Sequence, residues 1–185
     1  MKISATHAAG YTLAEMLLAI AIGGVLTMLA VTSFPNLLKN NQMVGDVNSL
    51  VGHINLARSE AVKRNLPTTV CQTNTPQATT PACNNSSTDW DLGWLVFVDN
   101  DDDRVYDPGE RLLQRGEPSG SVEMVVGAGN LAFARDGFLS TGQIYFSLCD
   151  DRGINHGRQL ELSVTGRPGI SKTFAANTDC NDATP

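Results

Sequence analysis

The chain has 185 residues, of which 42% are hydrophobic, and its 13 Lys and Arg against 19 Asp and Glu give a formal charge of −6. Its length suits one globular domain with an appendage. The acidic balance excludes a broad positive surface for nucleic acid but leaves room for a small local basic patch. With three histidines, no nucleophile elbow and no phosphate-binding glycine loop, the sequence predicts a protein that is not an enzyme.

The first predicted element is an apolar helix near the N-terminus. Residues 16–31 read MLLAIAIGGVLTMLAV, a run without a charge in which Thr27 alone is polar. With its apolar flanks this segment is close to the roughly 20 residues that a bilayer-spanning helix needs. A secretory signal peptide would have its cleavage site after the apolar region, whereas here an acidic residue, Glu15, stands at the front edge. The segment is therefore interpreted as a membrane helix and not as a cleaved secretory signal.

Glu15 requires a partner, because a carboxylate at the start of a membrane helix is costly to desolvate. Cleavage after Gly10 would supply one, since it creates a positively charged α-amine on Tyr11, four residues before Glu15. The amine of one subunit can also neutralise the carboxylate of a staggered neighbour. The pattern therefore predicts that subunits assemble within the bilayer.

Residues 10–19 read GYTLAEMLLA and resemble the processing and assembly motif of type IV prepilins and type II secretion pseudopilins. The resemblance implies that a prepilin peptidase cuts after Gly10, that Tyr11 becomes the methylated terminus, and that Glu15 docks subunits. Tyr11 and Ala14 are mild departures, since the family prefers Phe at the first position and Ile or Val at the second. The implied division is a leader at 1–10, a transmembrane and assembly helix at 11–64, and a β-rich head at 65–185.

The helix is predicted to continue past the membrane segment and to cover residues 13–64. Pro35 is expected to break or kink it at Phe34, because proline lacks the amide donor and clashes with the preceding turn. Beyond Pro35, apolar residues recur at spacings of three and four and mark one face: Val44, Val47, Leu50, Val51, Ile54, Ala57 and Ala61. Asn65 as a left-handed cap and Pro67 after it predict the end of the helix.

Short strands follow the helix, in runs bounded by turn residues. They are predicted at 68–71, 94–98, 111–113, 122–126, 131–134, 143–148 and 159–164. One helix followed by many short strands is an α+β arrangement with an antiparallel sheet. Large aromatic residues dominate the cores of small domains, so Trp90, Trp94 and Phe97 are interpreted as core residues. The isolated His53 is interpreted as a surface polar residue.

Four further segments form a pattern along the mature chain: ARSEAVKR at 57–64, WDLGWLVFVD at 90–99, FLSTG at 138–142 and VTGR at 164–167. They resemble the GspH/FimT/FimU minor pilins. The resemblance implies a type IV pilin fold, in which a long N-terminal helix packs on an antiparallel β-sheet head. It also implies a minor pilin that sits at the fibre tip or primes pilus assembly.

The same resemblance implies a location and partners. The chain would span the inner membrane once, with a periplasmic head, and would then be drawn into an extracellular pilus. The implied partners are other minor and major pilins, the prepilin peptidase, the inner-membrane assembly platform and a tip adhesin. A GspH-type minor pseudopilin of type II secretion is the alternative, because its sequence pattern is nearly the same.

All four cysteines lie beyond the apolar segment: Cys71, Cys83, Cys149 and Cys180. None forms a CxxC pair, and their spacing fits no common zinc pattern. An even number of cysteines outside the membrane segment favours two disulfides in an oxidising compartment. The preferred pairing is Cys71–Cys83 with Cys149–Cys180, because each bridge closes a polar, turn-rich stretch beside a predicted strand. One bridge, or two free buried thiols, stays open as an alternative.

The loop at 99–110 is strongly acidic, and its carboxylates have the spacing of a calcium-binding loop. Counted from its first residue, they occupy positions one, three, five, nine and twelve: Asp99, Asp101, Asp103, Asp107 and Glu110. Arg104 stands at the sixth position, where such loops use glycine for a sharp turn, and no exiting helix is predicted. Two interpretations stay open, a calcium site and a solvated acidic hairpin tip, and no other cofactor is expected.

The sequence around Arg167 bears on DNA binding. The chain resembles FimT-like pilins of competent bacteria, which bind DNA through a C-terminal Gly-Arg followed two places on by a second Arg. Here Gly166–Arg167 is followed by Pro168–Gly169, so the second arginine is missing; Lys172 is the nearest substitute, with Arg135 and Arg158 as neighbours. The Pro-Gly pair favours a turn between two terminal strands instead. A DNA-uptake role is therefore an unfavoured alternative.

Overall fold

The computed structural model describes residues 10–174, and among these the side chains of residues 29–33 are not described. Its elements in chain order are the helix α1 (Leu13–Arg64) and the strands β1 (Thr68–Gln72), β2 (Trp94–Val98), β3 (Arg111–Gly116), β4 (Glu123–Val126), β5 (Asn130–Phe133), β6 (Ile144–Cys149), β7 (Arg158–Leu162) and β8 (Pro168–Ser171). The chain divides into two compact units, Met1–Leu38 and Lys39–Pro185.

The first unit contains the N-terminal part of α1. This helix begins at Leu13, as predicted, and continues through Pro35 to Arg64. Helix α1 is continuous at Phe34, so the predicted break is wrong: a proline removes only one amide donor from the ladder, and the helix tolerates that loss. The alternative of a kink at Phe34 stays a prediction. Within the described residues, no helix is long and apolar enough to cross a membrane. The membrane span predicted at 16–31 stays a prediction.

In the second unit, one face of α1 is buried in the core of the head. The buried apolar residues recur at spacings of four and three: Met43, Val47, Leu50, Ile54, Ala57 and Ala61. Val44, which was predicted to lie on this face, is 48% exposed, because it is one position away from the stripe that Met43 begins. Asp46 is buried because its carboxylate accepts two hydrogen bonds from Ser119, from the amide at 3.0 Å and from the hydroxyl at 2.7 Å.

The end of α1 confirms the predicted left-handed cap. Asn65 has a φ of 54°, and the Leu66 amide donates to the Ala61 carbonyl at 3.3 Å. This six-to-one bond, with a left-handed residue between donor and helix, is the Schellman arrangement. Helix α1 therefore stops because its last carbonyls are satisfied locally, and Pro67 follows where continuation is impossible.

The head contains two four-stranded antiparallel sheets, where one sheet was predicted. The first has the strand order β3-β2-β1-β5 and the second has the order β4-β6-β7-β8. All the predicted strands are present, and β8 is the second of the two terminal strands expected around the Arg167 turn. The turn lies at residues 163–167, before the predicted Pro168–Gly169 pair, which belongs to β8. Strand β8 begins at Pro168, which is tolerated because proline can be the first residue of an edge strand.

Both sheets and α1 share one main core. Helix α1 contributes Leu50 and Ile54, the first sheet contributes Val96 and Phe133, and the second contributes Phe146. Because every layer buries side chains in the same cluster, the head folds as one cooperative unit around the second half of α1.

Strand β2 is buried on both faces, which explains its uninterrupted apolar sequence WLVFV. Trp94 and Val96 join the main core, whereas Leu95 and Phe97 pack with Cys71 in a second, smaller cluster. Trp90 is fully buried as well; its ring meets Phe146 edge-to-face at 5.3 Å, and its Nε1 donates to the Ala128 carbonyl at 3.2 Å. The interpretation of Trp90, Trp94 and Phe97 as core residues is confirmed.

Candidate functional site

The N-terminal motif folds as a capped helix start. Gly10, Tyr11 and Thr12 precede α1. The Thr12 hydroxyl accepts a hydrogen bond from the Glu15 amide at 3.3 Å, and the Thr12 carbonyl accepts one from the Met16 amide at 3.2 Å. A Thr three residues before a Glu is the spacing of a capping box. Sequence reasoning missed this role of Thr12, although the Thr-x-x-Glu spacing signals it.

This motif is open to other proteins. Gly10, Tyr11 and Glu15 are all exposed, and the Tyr11 side chain is 79% accessible. None of the ion pairs that join described residues includes Glu15, and its carboxylate stands in the first turn, at the positive end of the helix dipole. In the uncleaved chain Tyr11 has no free amine, so cleavage after Gly10 and the pairing with Glu15 stay predictions.

The acidic loop between β2 and β3 brings three of its five predicted ligands together. One carboxylate oxygen from each of Asp99, Asp101 and Asp103 lies within 4.8 Å of the other two. Asp99 is fully buried, whereas the other two are exposed. Asp99 Oδ2 accepts a hydrogen bond from the Thr69 hydroxyl at 2.8 Å and one from the Arg104 amide at 3.0 Å. Asp99 Oδ1 is buried and has no hydrogen-bond partner among the described residues.

Arg104 does not prevent the sharp turn that such a loop needs. Its φ is 67°, in the left-handed region where a calcium loop places glycine, and Asp102 has a φ of 63°. A left-handed conformation costs a residue with a side chain about 1–2 kcal/mol, and the Arg104 amide bond to Asp99 helps to hold it. None of the ion pairs among the described residues involves the Arg104 guanidinium.

The structure does not bring Asp107 and Glu110 into the three-oxygen cluster. Glu110 Oε1 accepts the Asn100 amide at 2.7 Å, and Glu110 Oε2 accepts the Asp107 amide at 3.1 Å. Glu110 therefore closes the loop, because its carboxylate joins Asn100 and Asp107 through two hydrogen bonds; we call this role a bracket. The linear spacing of carboxylates could not reveal it. Desolvation by burial raises the pKa of both Asp99 and Glu110 above their ordinary values, although hydrogen bonds act in the opposite direction.

One of the two predicted disulfides lies within the described residues. Cys71 of β1 is bonded to Cys83, and their Cα atoms are 5.5 Å apart, which confirms this pairing. Cys149 is disulfide-bonded as well, and its predicted partner Cys180 lies outside the described residues. The Cys71–Cys83 bridge links the long 73–93 connection to β1. The same connection contacts the acidic loop, because Asn85 Nδ2 donates a hydrogen bond to the Arg104 carbonyl at 2.7 Å.

Comparison with protein families identifies the head. A family model described as type II transport protein GspH matches residues 46–166. The chain belongs to the GspH family. A second model, the prokaryotic N-terminal methylation motif, matches residues 6–31 and covers Gly10, Tyr11 and Glu15.

Two solved structures share the fold of this GspH-family chain. Both are the type IV minor pilin FimU of Pseudomonas aeruginosa strain PAO1, in two crystal forms. The first has a TM-score of 0.57 and 19% identity over 77% of this chain and 97% of that one. The second has a TM-score of 0.55 and 18% identity over 74% of this chain and 98% of that one. The likeness confirms the predicted α+β pilin fold. No curated protein sequence matches the chain.

GspH-family membership establishes the general class of function. The family and the fold belong to structural pilin-like subunits, so this chain is not an enzyme, as the sequence predicted. The methylation motif and the family imply processing by a prepilin peptidase, anchoring in the inner membrane and assembly with other pilins.

In the GspH-family head, the basic residues considered for DNA binding lie at the two ends of β8 and in a surface groove. Arg167 is exposed in the turn before β8. Lys172 follows the other end of β8, and Arg158 lies beside that end because β7 pairs with β8. Arg135 lines a surface groove of about 500 Å³ that it shares with Asp101, Asp102 and Asp136. Arg167 and Lys172 are therefore divided between the two ends of β8, and the groove that Arg135 lines also contains acidic groups that repel phosphate.

His53 has a structural role that sequence reasoning missed. It is half-buried on α1 and accepts a hydrogen bond at Nδ1 from the Nε1 group of Trp94 at 2.9 Å. The two rings also meet edge-to-face, with centroids 5.8 Å apart. Burial lowers the pKa of His53 below its ordinary value. The interpretation of His53 as a simple surface residue is therefore wrong, because a partner 41 positions away left no local signal.

Proposed function

We propose that this GspH-family chain is a minor pilin of a type IV pilus, which enters the fibre at its tip or primes its assembly. The observation that supports this most is the single helix α1, which begins at an exposed capped motif and ends inside the core of the head. One element then serves both purposes of a pilin: its first half packs with other helices, and its second half carries the head.

Assembly begins with cleavage after Gly10, which gives Tyr11 a positive amine. In lipid, a carboxylate costs about 2.5–3.5 kcal/mol at the helix centre and less near the interface. The Glu15 carboxylate offsets that cost by pairing with the amine of a neighbouring subunit. Because a subunit in the wrong register leaves both charges unpaired, the pairing selects one stagger between adjacent helices.

The disulfide-bonded head supplies the outward contacts. We expect other minor and major pilins to pack against it within the fibre, and a tip adhesin to bind it when the subunit is terminal. The inner-membrane assembly platform would receive the helix after processing. The energy for extension comes from a separate cytoplasmic motor, and this function requires no cofactor.

A deletion strain tests the proposal. The gene is deleted and restored on a plasmid, surface pili are counted by electron microscopy, and secretion of type II substrates is measured in the same cells. We expect the pili to fall sharply and return on complementation, with secretion unchanged. Normal pili with a loss of secretion would contradict the minor-pilin assignment.

That opposite result would support a minor pseudopilin of type II secretion. The description of the matched family favours this second candidate, since it names a type II transport protein. Helix packing, processing and the role of Glu15 are the same in both machines. Copurification distinguishes them: a pilus subunit captures pilins, and a pseudopilin captures pseudopilins.

DNA uptake is a third candidate, and the divided cations argue against it. Two or three phosphate contacts would give only weak, steeply salt-dependent binding. We expect no gel shift of duplex DNA by the full-length protein in detergent, even at low salt. A shift that disappears in both Arg167→Ala and Lys172→Ala would instead establish a DNA site on the two ends of β8.

A further inference from the structure

The carboxylates of the β2–β3 loop converge more closely than a solvated acidic tip requires. Oxygens of Asp99, Asp101 and Asp103 lie within 4.8 Å of one another. Like charges at this distance repel, and a protein usually relieves the repulsion with a cation or a bound proton. Exposed acidic groups can approach without an ion, so convergence alone does not establish a site.

A second observation concerns Asp99, the buried member of this cluster. Asp99 is fully buried, and its Oδ1 has no hydrogen-bond partner among the described residues. Buried polar atoms are almost always paired, and an unpaired carboxylate oxygen is among the most costly exceptions. The Asp99 side chain is fixed by the Thr69 hydroxyl and the Arg104 amide at its other oxygen. Its free oxygen is therefore held in place for a ligand that the chain itself does not supply.

We propose that the β2–β3 loop binds one calcium ion through Asp99, Asp101 and Asp103, with Glu110 as a bracket and not as a ligand. Calcium takes six to eight hard oxygens in a flexible arrangement, which suits three carboxylates, loop carbonyls and water on the exposed side of the site. Magnesium needs a stricter octahedron and keeps most of its water, so this loop should prefer calcium.

The role of Glu110 separates this site from the pattern in the sequence. Both of its oxygens accept backbone amides, from Asn100 and Asp107. A glutamate that left these amides to reach the ion would leave two donors unpaired and open the loop. The site therefore has fewer charged ligands than a complete twelve-residue calcium loop. We expect a dissociation constant of about 10⁻⁴–10⁻³ M, as in extracellular calcium modules.

The ion would connect three parts of the head. Asp99 accepts a hydrogen bond from the Thr69 hydroxyl of β1. The Arg104 carbonyl accepts one from Asn85, which lies two residues after the disulfide-bonded Cys83. Binding at the loop therefore stiffens one edge of the first sheet together with the disulfide-closed connection. This inference does not depend on whether the subunit serves a pilus or a secretion system.

Calorimetric titration tests the site directly. The full-length protein in detergent is stripped with a chelator and titrated with CaCl₂ and, separately, with MgCl₂. We expect one calcium per chain, with magnesium binding at least about tenfold weaker. Asp101→Ala and Asp103→Ala each remove one ligand from an exposed position, so they should fold normally and weaken calcium binding on the order of tenfold or more.

Two further variants distinguish the loss of a calcium ligand from the loss of a negative charge alone. Asp102→Asn removes the same charge from the same loop, outside the cluster, and asparagine tolerates its left-handed φ; we expect at most about a threefold loss, from long-range attraction alone. Glu110→Gln keeps only one of the two amide acceptors, so it should lower the melting temperature of the calcium-free protein, which Asp101→Ala should not. No calcium binding, equal loss in Asp101→Ala and Asp102→Asn, or equal affinity for both metals would overturn the proposal. An unchanged melting temperature of calcium-free Glu110→Gln would overturn the assignment of Glu110 as a bracket.

Discussion

Individual side chains in this head are held by partners that are far away in the chain. The hydrogen bond between Trp94 and His53 requires an unprotonated Nδ1, since a protonated imidazole nitrogen cannot accept. This bond joins the middle of α1 to the start of β2, and a pH below the neutral range can break it by protonating His53.

Acid should weaken the head through His53. Burial lowers its pKa in the folded protein, so the unfolded chain binds the proton more readily. The neutral imidazole therefore contributes fully above the ordinary histidine pKa of 6.5, and that contribution is lost as the pH falls through this value toward the folded pKa. Urea unfolding at about pH 7.5 and about pH 5.5 should show a lower unfolding free energy at the acidic pH, by less than the roughly 0.5–1.5 kcal/mol net value of one hydrogen bond, because His53 is half-exposed.

His53→Gln is the matched control, because glutamine does not titrate. Its unfolding free energy should depend less on pH than that of the wild type by the same amount. If both proteins lose equal stability between the two pH values, the hydrogen bond to Trp94 is not the source of the acid sensitivity.

Two glycines in the β4–β5 connection differ in the space around them. A Cβ atom on Gly129 would lie 2.1 Å from the Asn85 carbonyl oxygen, whereas one on Gly127 would meet nothing within 4 Å. Neither has a positive φ. We expect Gly129→Ala to destabilise the head by about 1–3 kcal/mol, since the obstacle is backbone that must move. Gly127→Ala should be neutral or slightly stabilising, and equal melting temperatures for the two variants would contradict this assignment.

At the scale of elements, α1 shows how far local patterns reach. Its two ends were predictable because capping depends on a few neighbouring residues, such as Asn65 with its left-handed φ. The spacing of the buried residues on α1 was predictable from the sequence, but the residue that begins the buried face was not. Val44 and Met43 are both apolar, and only packing against the sheets decides which one is covered.

The observed phase of α1 can be tested with this pair. Met43 is 1% exposed and Val44 is 48% exposed. Met43→Ala should therefore cost about 2–4 kcal/mol of unfolding free energy through lost burial and a cavity. Val44→Ala should change it by less than about 0.5 kcal/mol. Chemical denaturation of both variants measures the difference, and a larger cost at Val44 would mean that the sequence-based face is the correct one.

At the scale of the whole molecule, the sequence indicated the class of fold but not the division of strands between two sheets. Period-two patterns identify extended segments, whereas pairing such as that of β1 with β5 depends on contacts between distant residues. The disulfide Cys71–Cys83 was predictable because it closes a short loop. The acidic loop was predictable in composition, but the separation of Glu110 from the three aspartates follows from backbone amides that a sequence does not show.

The family and the N-terminal motif describe a pilin-like subunit whose helix exposes one carboxylate in its first turn. The proposed assembly mechanism depends on that carboxylate, Glu15, finding the amine that cleavage creates on Tyr11 of a neighbour. Folding of the head should not depend on it, because Glu15 belongs to the first compact unit.

The most direct measurement is the incorporation of Glu15→Ala into filaments, with Glu117→Ala as a control that removes an exposed carboxylate of the head. Mass spectrometry first establishes that both variants are cleaved after Gly10, and sheared filaments are then quantified by immunoblotting. We predict that Glu15→Ala is processed but falls at least about tenfold in filaments, the effect of losing roughly 1.4 kcal/mol of docking energy, while Glu117→Ala matches the wild type. Processed Glu15→Ala that enters filaments at the wild-type level would contradict the pairing of Glu15 with the Tyr11 amine of a neighbouring subunit.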